Sequence, residues 1–362
     1  MRGQERGPSR VTVRRLAVPM ATIDRSVRLP AMRVLVTGSS GFVGSAVAES
    51  LLERGDEVVG WSRRECEGLV RRGMRSVRGD LADRQLLDRN VRDLDAVIHT
   101  AAMAGVWGAA SRYRRANVDT TLALLSACQR ASVPRMVFTS SPSVTFSGVA
   151  QDGVDESVGY ANRFLCAYPR TKAEAEQAVL ASSSKDLATV ALRPHLVWGV
   201  DDPHLLPRVV QRARTGRLTI AGDGENRIDC THIDNVAAAH LDALDTLVRS
   251  PQRCAGKAYF ISNDEPVVCR DWLERVCRAA GVTCRLRCVP FGLAYALGGI
   301  AEAAHRALRV QREPRLTRFV AAQLALPHHF DISAAKRDLG YYIRTTMDEG
   351  FEKLARAWKE PR

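Results

Sequence analysis

The sequence predicts an α/β fold, a parallel sheet covered on both faces by helices. Three observations carry this expectation. Short apolar runs alternate with amphipathic stretches, the first run leads into a glycine-rich turn, and the composition is that of a packed chain. The 362 residues are 46% hydrophobic and 26% charged, which argues against a disordered, collagen-like or disulfide-stapled protein.

The elements follow in order. Met32 to Val36 reads as a strand and Thr37 to Gly44 as the turn after it. An amphipathic helix over 43–54 is closed by Gly55. Further strands are expected at Glu57–Trp61, Asp95–Thr100, Arg135–Thr139 and Thr189–Leu192. Helices are expected at Asp119–Ala131 and Tyr168–Ala181. After Gly199 the alternation loosens, but Ile233–Leu247 reads as a helix and Ala258–Ser262 as one more strand. The fold class is therefore a Rossmann-type doubly wound parallel sheet with a smaller, interleaved C-terminal substrate lobe. The sheet domain is expected over 32–198 with 231–262 returning to it, and the lobe over 199–230 and 263–362.

The net charge is +13, and only six of the 53 basic residues are lysines. Residues 1–31 hold seven arginines and two acids, so +8 remains on the body. That opening segment is expected to be a disordered basic extension or the product of a start assigned too early. No basic and aromatic stripe stands out, so a nucleic-acid partner is not expected. The nine cysteines contain no C-x-x-C pair and imply no metal site. Cys284 and Cys288 alternate around Leu286 and are expected to share a strand face. No run is long enough to span a bilayer. The apolar, uncharged stretch Val289–Ala301 reads as a core-facing or substrate-facing helix rather than a membrane anchor. A cytoplasmic location is expected.

Thr37-Gly38-Ser39-Ser40-Gly41-Phe42-Val43-Gly44 joins a strand to a helix, which is where backbone N–H groups meet a pyrophosphate. The second strand ends in Trp61-Ser62-Arg63-Arg64, with no acid to bond an adenosine ribose hydroxyl. Two guanidinium groups suit a 2′-phosphate, so NADP(H) is expected over NAD(H). Asp80 and Leu81 fall where a carboxylate would approach the adenine.

Tyr168-Pro169-Arg170-Thr171-Lys172 stacks a phenol and an ammonium on one helix face. A nearby ammonium stabilises a phenolate. Thr139-Ser140-Ser141-Pro142-Ser143 ends a strand, and Ser141 is the expected carbonyl-binding hydroxyl, with Ser140 and Ser143 as alternatives. His99 reads as a packed core histidine. His195 and His204 fall near the expected pocket. Met103, Val106, Trp107, Phe164, Trp198, Leu205 and the 289–301 segment are candidate linings.

The set TGSSGFVG, GDLAD, DAVIHTAA, Asn117-Val118, FTSSPSV, YPRTK and RPHLVWG resembles the extended short-chain dehydrogenase/reductases. RIDCTHIDNVAAAH at Arg227–His240 is similar to their 3β-hydroxysteroid dehydrogenase-like branch. AGVWG (104–108), SSPSVT (140–145), LPRVVQRARTGRL (206–218), CAGKAYFISNDEP (254–266) and EPRLTRF (313–319) resemble bacterial members that reduce 2-alkyl-3-oxoalkanoic acids in long-chain olefin biosynthesis. The resemblance implies a Ser141/Tyr168/Lys172 triad with Asn117 in support. It implies cofactor contacts at Thr37, Gly38, Gly41, Phe42, Val43, Gly44, Ser62, Arg63, Arg64, Asp80, Leu81, Ala101, Ala102 and Pro194, besides Tyr168 and Lys172. The implied activity is NADPH-dependent reduction of the 3-keto group of such a lipid-like acid.

A homodimer, and assembly with other enzymes of that pathway, are implied as well. The alternatives are a steroid or sterol 3β-hydroxy dehydrogenase, a non-catalytic NADP-sensing regulator and a sugar-nucleotide epimerase. Pro142-Ser143 replaces the acidic pair of sugar-nucleotide dehydratases, which disfavours dehydration.

Overall fold

The computed structural model describes residues 29–359; most of the segment expected to be a basic extension lies outside them. Seven strands form the main sheet: β1 Arg33–Thr37, β2 Glu57–Ser62, β3 Arg75–Arg78, β4 Ala96–His99, β5 Arg135–Thr139, β6 Ala188–Pro194 and β7 Lys257–Ile261. Their spatial order is β3-β2-β1-β4-β5-β6-β7, and every neighbouring pair is parallel. The architecture is α/β and Rossmann-like.

Alternation along each strand builds the two faces. Val34 and Val36 enter one core with helices Phe42–Arg54 and Ile233–Arg249. Leu35 between them enters the other, with helices Thr120–Arg130 and Ala167–Ala181. Both faces are covered, so the central strands are apolar throughout, as a parallel sheet requires. The chain order reverses between β1 and β4. That switch point opens a crevice at the carboxyl ends of the strands.

β3 has no counterpart in the sequence reading. Only Val77 of its four residues is buried, so an edge strand of this composition leaves no apolar run to read. The helix expected over 119–131 begins instead with a π-helical turn, Arg115–Asp119, before Thr120–Arg130.

A second sheet joins Val267–Val268, Arg227–Ile228, His328–Phe330 and Gln151–Val154. The last of these lies inside the span expected to belong to the nucleotide domain, so the chain crosses to this sheet once more than the sequence suggested. Conversely, Ala335, Leu339 and Tyr341, from the far C-terminal span, pack into the core beneath the main sheet. The lobe has its own core around Trp198, Trp272 and Phe351. Cys284 and Cys288 do not share a strand face: the strand there is only Arg287–Val289, and Cys284 faces Cys277 instead.

Candidate active site

The crevice is lined first by the glycine turn. Gly38 holds φ +72°, and a Cβ on it would lie 2.9 Å from the Ala101 backbone. A Cβ on Gly44 would lie 2.2 Å from the Gly38 carbonyl oxygen. Both positions exclude a side chain because backbone passes over backbone. Gly41 caps the helix without any side-chain hydrogen bond to the first turn, and no acid stands in that turn. The leading amides, including those of Phe42 and Val43, are thus left for an external anion. Thr37 and Thr100 hold the floor, with Thr100 Oγ1 donating to the Thr37 carbonyl at 2.7 Å and the Ala101 amide donating to Thr37 Oγ1 at 3.3 Å. The residues present fit a nicotinamide dinucleotide.

At the end of β2, Ser62 is half-buried while Arg63 and Arg64 are exposed. Among the described residues neither guanidinium has an ion-pair partner. Asp80 is exposed and accepts from the Ala82 amide at 3.0 Å, while Leu81 is buried. Ala102 is exposed above the crevice, and Pro194 closes β6.

The hydroxyl-bearing residues meet at the ends of β5 and of helix Ala167–Ala181. The Ser141 hydroxyl lies 2.9 Å from that of Ser143. Ser140 is buried, and its hydroxyl has no partner among the described residues. Tyr168 is half-buried at the start of the helix. Burial pushes its phenol up to about 12, while a hydrogen bond with Ser141 pulls the other way. The phenol is therefore protonated at neutral pH.

Lys172, one turn on, is buried. Its Nζ donates to the Thr139 carbonyl at 2.5 Å and lies 4.1 Å from the centre of the Phe138 ring. Burial brings its ammonium down to about 7, with Glu176 opposing. The groups that perturb Tyr168 are Ser141, Cys166 and Tyr113; Lys172 addresses the end of β5 instead.

Asn117 occupies the π-helical turn. Its Oδ1 accepts from the Met103 amide at 2.7 Å, and its Nδ2 donates to Thr171 Oγ1 at 3.0 Å. It ties the loop after β4 to the helix that carries Tyr168 and Lys172. His99 is a packed core residue with a defined tautomer. The Thr121 hydroxyl donates to the Asn117 carbonyl at 2.6 Å, so it accepts from His99 Nε2, 2.9 Å away. Nδ1 then accepts from Thr37 Oγ1 at 2.6 Å. Burial and the Lys172 charge hold His99 down at about 3, hence neutral.

His195 is buried and lies 2.7 Å from His328, while His204 is exposed ahead of helix Leu205–Arg214. Met103, Val106, Trp107, Phe164 and Leu205 are half-buried. Trp198 is no pocket wall: it is fully buried, with its ring 4.5 Å from that of Phe351. The segment after Val289 becomes helix Phe291–Ala307, and Leu293, Leu297 and Ile300 on it face solvent rather than a core.

The sequence reading missed Glu176 and Arg193. They form a buried ion pair at 2.5 Å, and Tyr160 donates to Glu176 at 2.8 Å. The signal was present, since Glu176 follows Lys172 by four residues on the same helix face.

The family model described as "3-beta hydroxysteroid dehydrogenase/isomerase family" matches residues 35–291. A Stenotrophomonas maltophilia protein named 2-alkyl-3-oxoalkanoate reductase is 44% identical over 326 residues, covering 89% of this chain and 98% of that one. The Homo sapiens sterol-4-alpha-carboxylate 3-dehydrogenase, decarboxylating, is 30% identical over 347 residues, covering 94% and 92%. The solved structure of MoeE5 in complex with UDP-glucose and NAD superposes with a TM-score of 0.70 at 26% identity, covering 90% of this chain and 98% of that one.

Proposed function

The chain belongs to the 3-beta hydroxysteroid dehydrogenase/isomerase family, and on that premise we propose that it is an NADPH-dependent reductase of 2-alkyl-3-oxoalkanoic acids. The observation that carries this reading is the hydrogen bond between Ser141 and Tyr168 at the carboxyl end of β5, with Lys172 one helix turn on and bonded to the Thr139 carbonyl. The 44% identity to the S. maltophilia reductase supports the substrate class.

When bound, the reduced nicotinamide supplies hydride to the C3 carbonyl carbon. Tyr168 donates the proton to the carbonyl oxygen, and its burial keeps that proton in place until it is needed. Ser141 holds the same oxygen by hydrogen bonding. Lys172 would hold the cofactor ribose, and Asn117 keeps the helix and the Met103 loop in register. Arg63 and Arg64 take the 2′-phosphate, which favours NADPH over NADH. The product is a 2-alkyl-3-hydroxyalkanoic acid, an intermediate suited to olefin formation by later loss of water and carbon dioxide. Self-association is part of the same reading.

The test is cofactor oxidation by purified protein with a synthetic 2-alkyl-3-oxo acid, cross-checked in reverse on the stable hydroxy acid with NADP⁺. Tyr168→Phe is expected to lower turnover by about 100-fold or more while leaving NADPH affinity nearly unchanged. A sterol substrate is the second reading, because the human sterol dehydrogenase aligns over 94% of the chain. Turnover of a hydroxysteroid with NAD alone, and none of the oxo acid, would sink the reductase reading.

A further inference from the structure

His240 is an unexpected residue for its place. It lies on helix Ile233–Arg249 among Ala237, Ala239, Ala243 and Leu244, all buried, and is itself fully buried. An aliphatic side chain would fill that position without the cost of burying a polar ring. Burial holds the imidazole down at about 4, so it is neutral at physiological pH.

Its surroundings fix its tautomer. Nδ1 lies 2.7 Å from the Val236 carbonyl, which can only accept, so Nδ1 carries the proton. Nε2 is then a bare acceptor, and the Thr139 hydroxyl, 2.7 Å away, donates to it.

Thr139 is the last residue of β5, and strand alternation sets its side chain on the same face as Val137. Val137 shares a core with Ala237, Ala239 and Ala243 of the His240 helix. Phe138 enters the opposite core, with Ala175 and Val179 of the helix that bears Lys172. β4 ends at His99, opposite Phe138, and no residue of β4 pairs with Thr139. Thr139 pairs with Leu192 of β6 alone. Its carbonyl instead accepts from Lys172 Nζ at 2.5 Å. Thr139 is thus held from both faces of the sheet, by His240 through its hydroxyl and by Lys172 through its carbonyl.

We propose that His240 is a positioning residue for Lys172: by holding the Thr139 hydroxyl from the far face of the sheet, it fixes the carbonyl on which the Lys172 ammonium is anchored. A bonded hydroxyl selects one threonine rotamer and steadies the strand end two residues before Ser141. An ammonium has three hydrogens. With one on the Thr139 carbonyl and the Phe138 ring centre 4.1 Å away, the direction of the others is set. Two further titratable groups interact with this ammonium. Glu176, on the same helix, is paired with Arg193, and His99, on β4, is held between Thr37 and Thr121. The consequence for turnover rests on the reductase reading; the link from His240 to Lys172 does not.

The experiment follows the Lys172 ammonium directly. The chain has six lysines, so heteronuclear NMR of protein labelled in its lysine side chains is tractable, and Lys172→Met identifies the Lys172 signal by its loss. His240→Leu removes the acceptor, Thr139→Val removes the donor, and His240→Gln keeps an acceptor near the Nε2 position. The carbonyl bond favours the charged ammonium, so in the Leu and Val variants the Lys172 titration should fall by about half a pH unit or more, and in His240→Gln it should return toward wild type. With the oxo acid as substrate, kcat should fall about tenfold in either single variant and no further in the double variant, because both break one link. KM for the oxo acid should change little. Thr139→Val serves if His240→Leu does not fold. A Lys172 titration unchanged in the folded variants overturns the proposal and leaves His240 a purely structural residue. Additive losses in the double variant overturn it as well. If the wild type turns over no oxo acid, the reductase reading fails, and the lysine titration still decides the link.

Discussion

Tyr168 and Lys172 stand one turn apart on the same helix, and burial moves their titrations in opposite directions. The phenol rises to about 12 and the ammonium falls to about 7. The cause is common: a low-dielectric site disfavours whichever form is charged. For Tyr168 the effect keeps the phenol protonated, as the proposed role of proton donor requires. For Lys172 it makes the folded state a poor host for the charge. The unfolded chain binds more protons than the native one between about pH 7 and 10.5, so this group adds stability as pH rises through that window. Its contribution has a slope of at most about 1.4 kcal/mol per pH unit. Lys172→Met lacks the titration. The stability of the variant relative to wild type should therefore shrink steadily from pH 7 to pH 10 in urea denaturation. Parallel curves across that range would show that Lys172 is not desolvated.

At the scale of elements, the glycine turn and the end of β2 were legible because each leaves a local mark. A Cβ at Gly44 has no room beside the Gly38 carbonyl, so glycine is required there and its spacing can be read. Arg63 and Arg64 were legible as residues, and the structure leaves both exposed at the carboxyl end of β2. If they take a 2′-phosphate, Arg63→Ala/Arg64→Ala should raise KM for NADPH by roughly 10- to 100-fold, with little change for NADH. Equal losses with both cofactors in steady-state kinetics would refute that role. The π-helical turn at Arg115–Asp119 left no mark. It is held by Asn117 bonding Met103, fourteen residues away in sequence, and no periodicity within a helix encodes such a partner.

For the whole molecule, buried polar contacts as well as apolar cores hold the interleaved stretches together. Asn235, on helix Ile233–Arg249, is fully engaged. Its Nδ2 donates to Asn263 at 2.9 Å and the Thr345 carbonyl at 2.7 Å. Its Oδ1 accepts from the amides of Arg344 at 2.8 Å and Thr345 at 3.0 Å. Three distant stretches of chain meet at one amide. Asn235→Ala leaves several buried groups unpaired and should cost about 3 kcal/mol. Urea unfolding is expected to remain a single transition, because the same contacts couple lobe and sheet. Two separated transitions in the wild-type protein would disprove that coupling.

The sequence by itself determined the parallel sheet, the dinucleotide turn, the helix carrying Tyr168 and Lys172, and the return of Lys257–Ile261 to the sheet. These depend on short-range rules: strand and helix periods, glycine where a Cβ will not fit, and residues four apart sharing a helix face. Only the tertiary structure decided that Trp198 belongs to the lobe core, that Glu176 and Arg193 form a buried pair, and that Gln151–Val154 crosses to the second sheet. It also decided which face of Phe291–Ala307 is left open. The physical reason is that burial and pairing are properties of contacts between residues far apart in the chain. An apolar run in a sequence says that a surface must be covered, and only the folded chain says whether anything covers it.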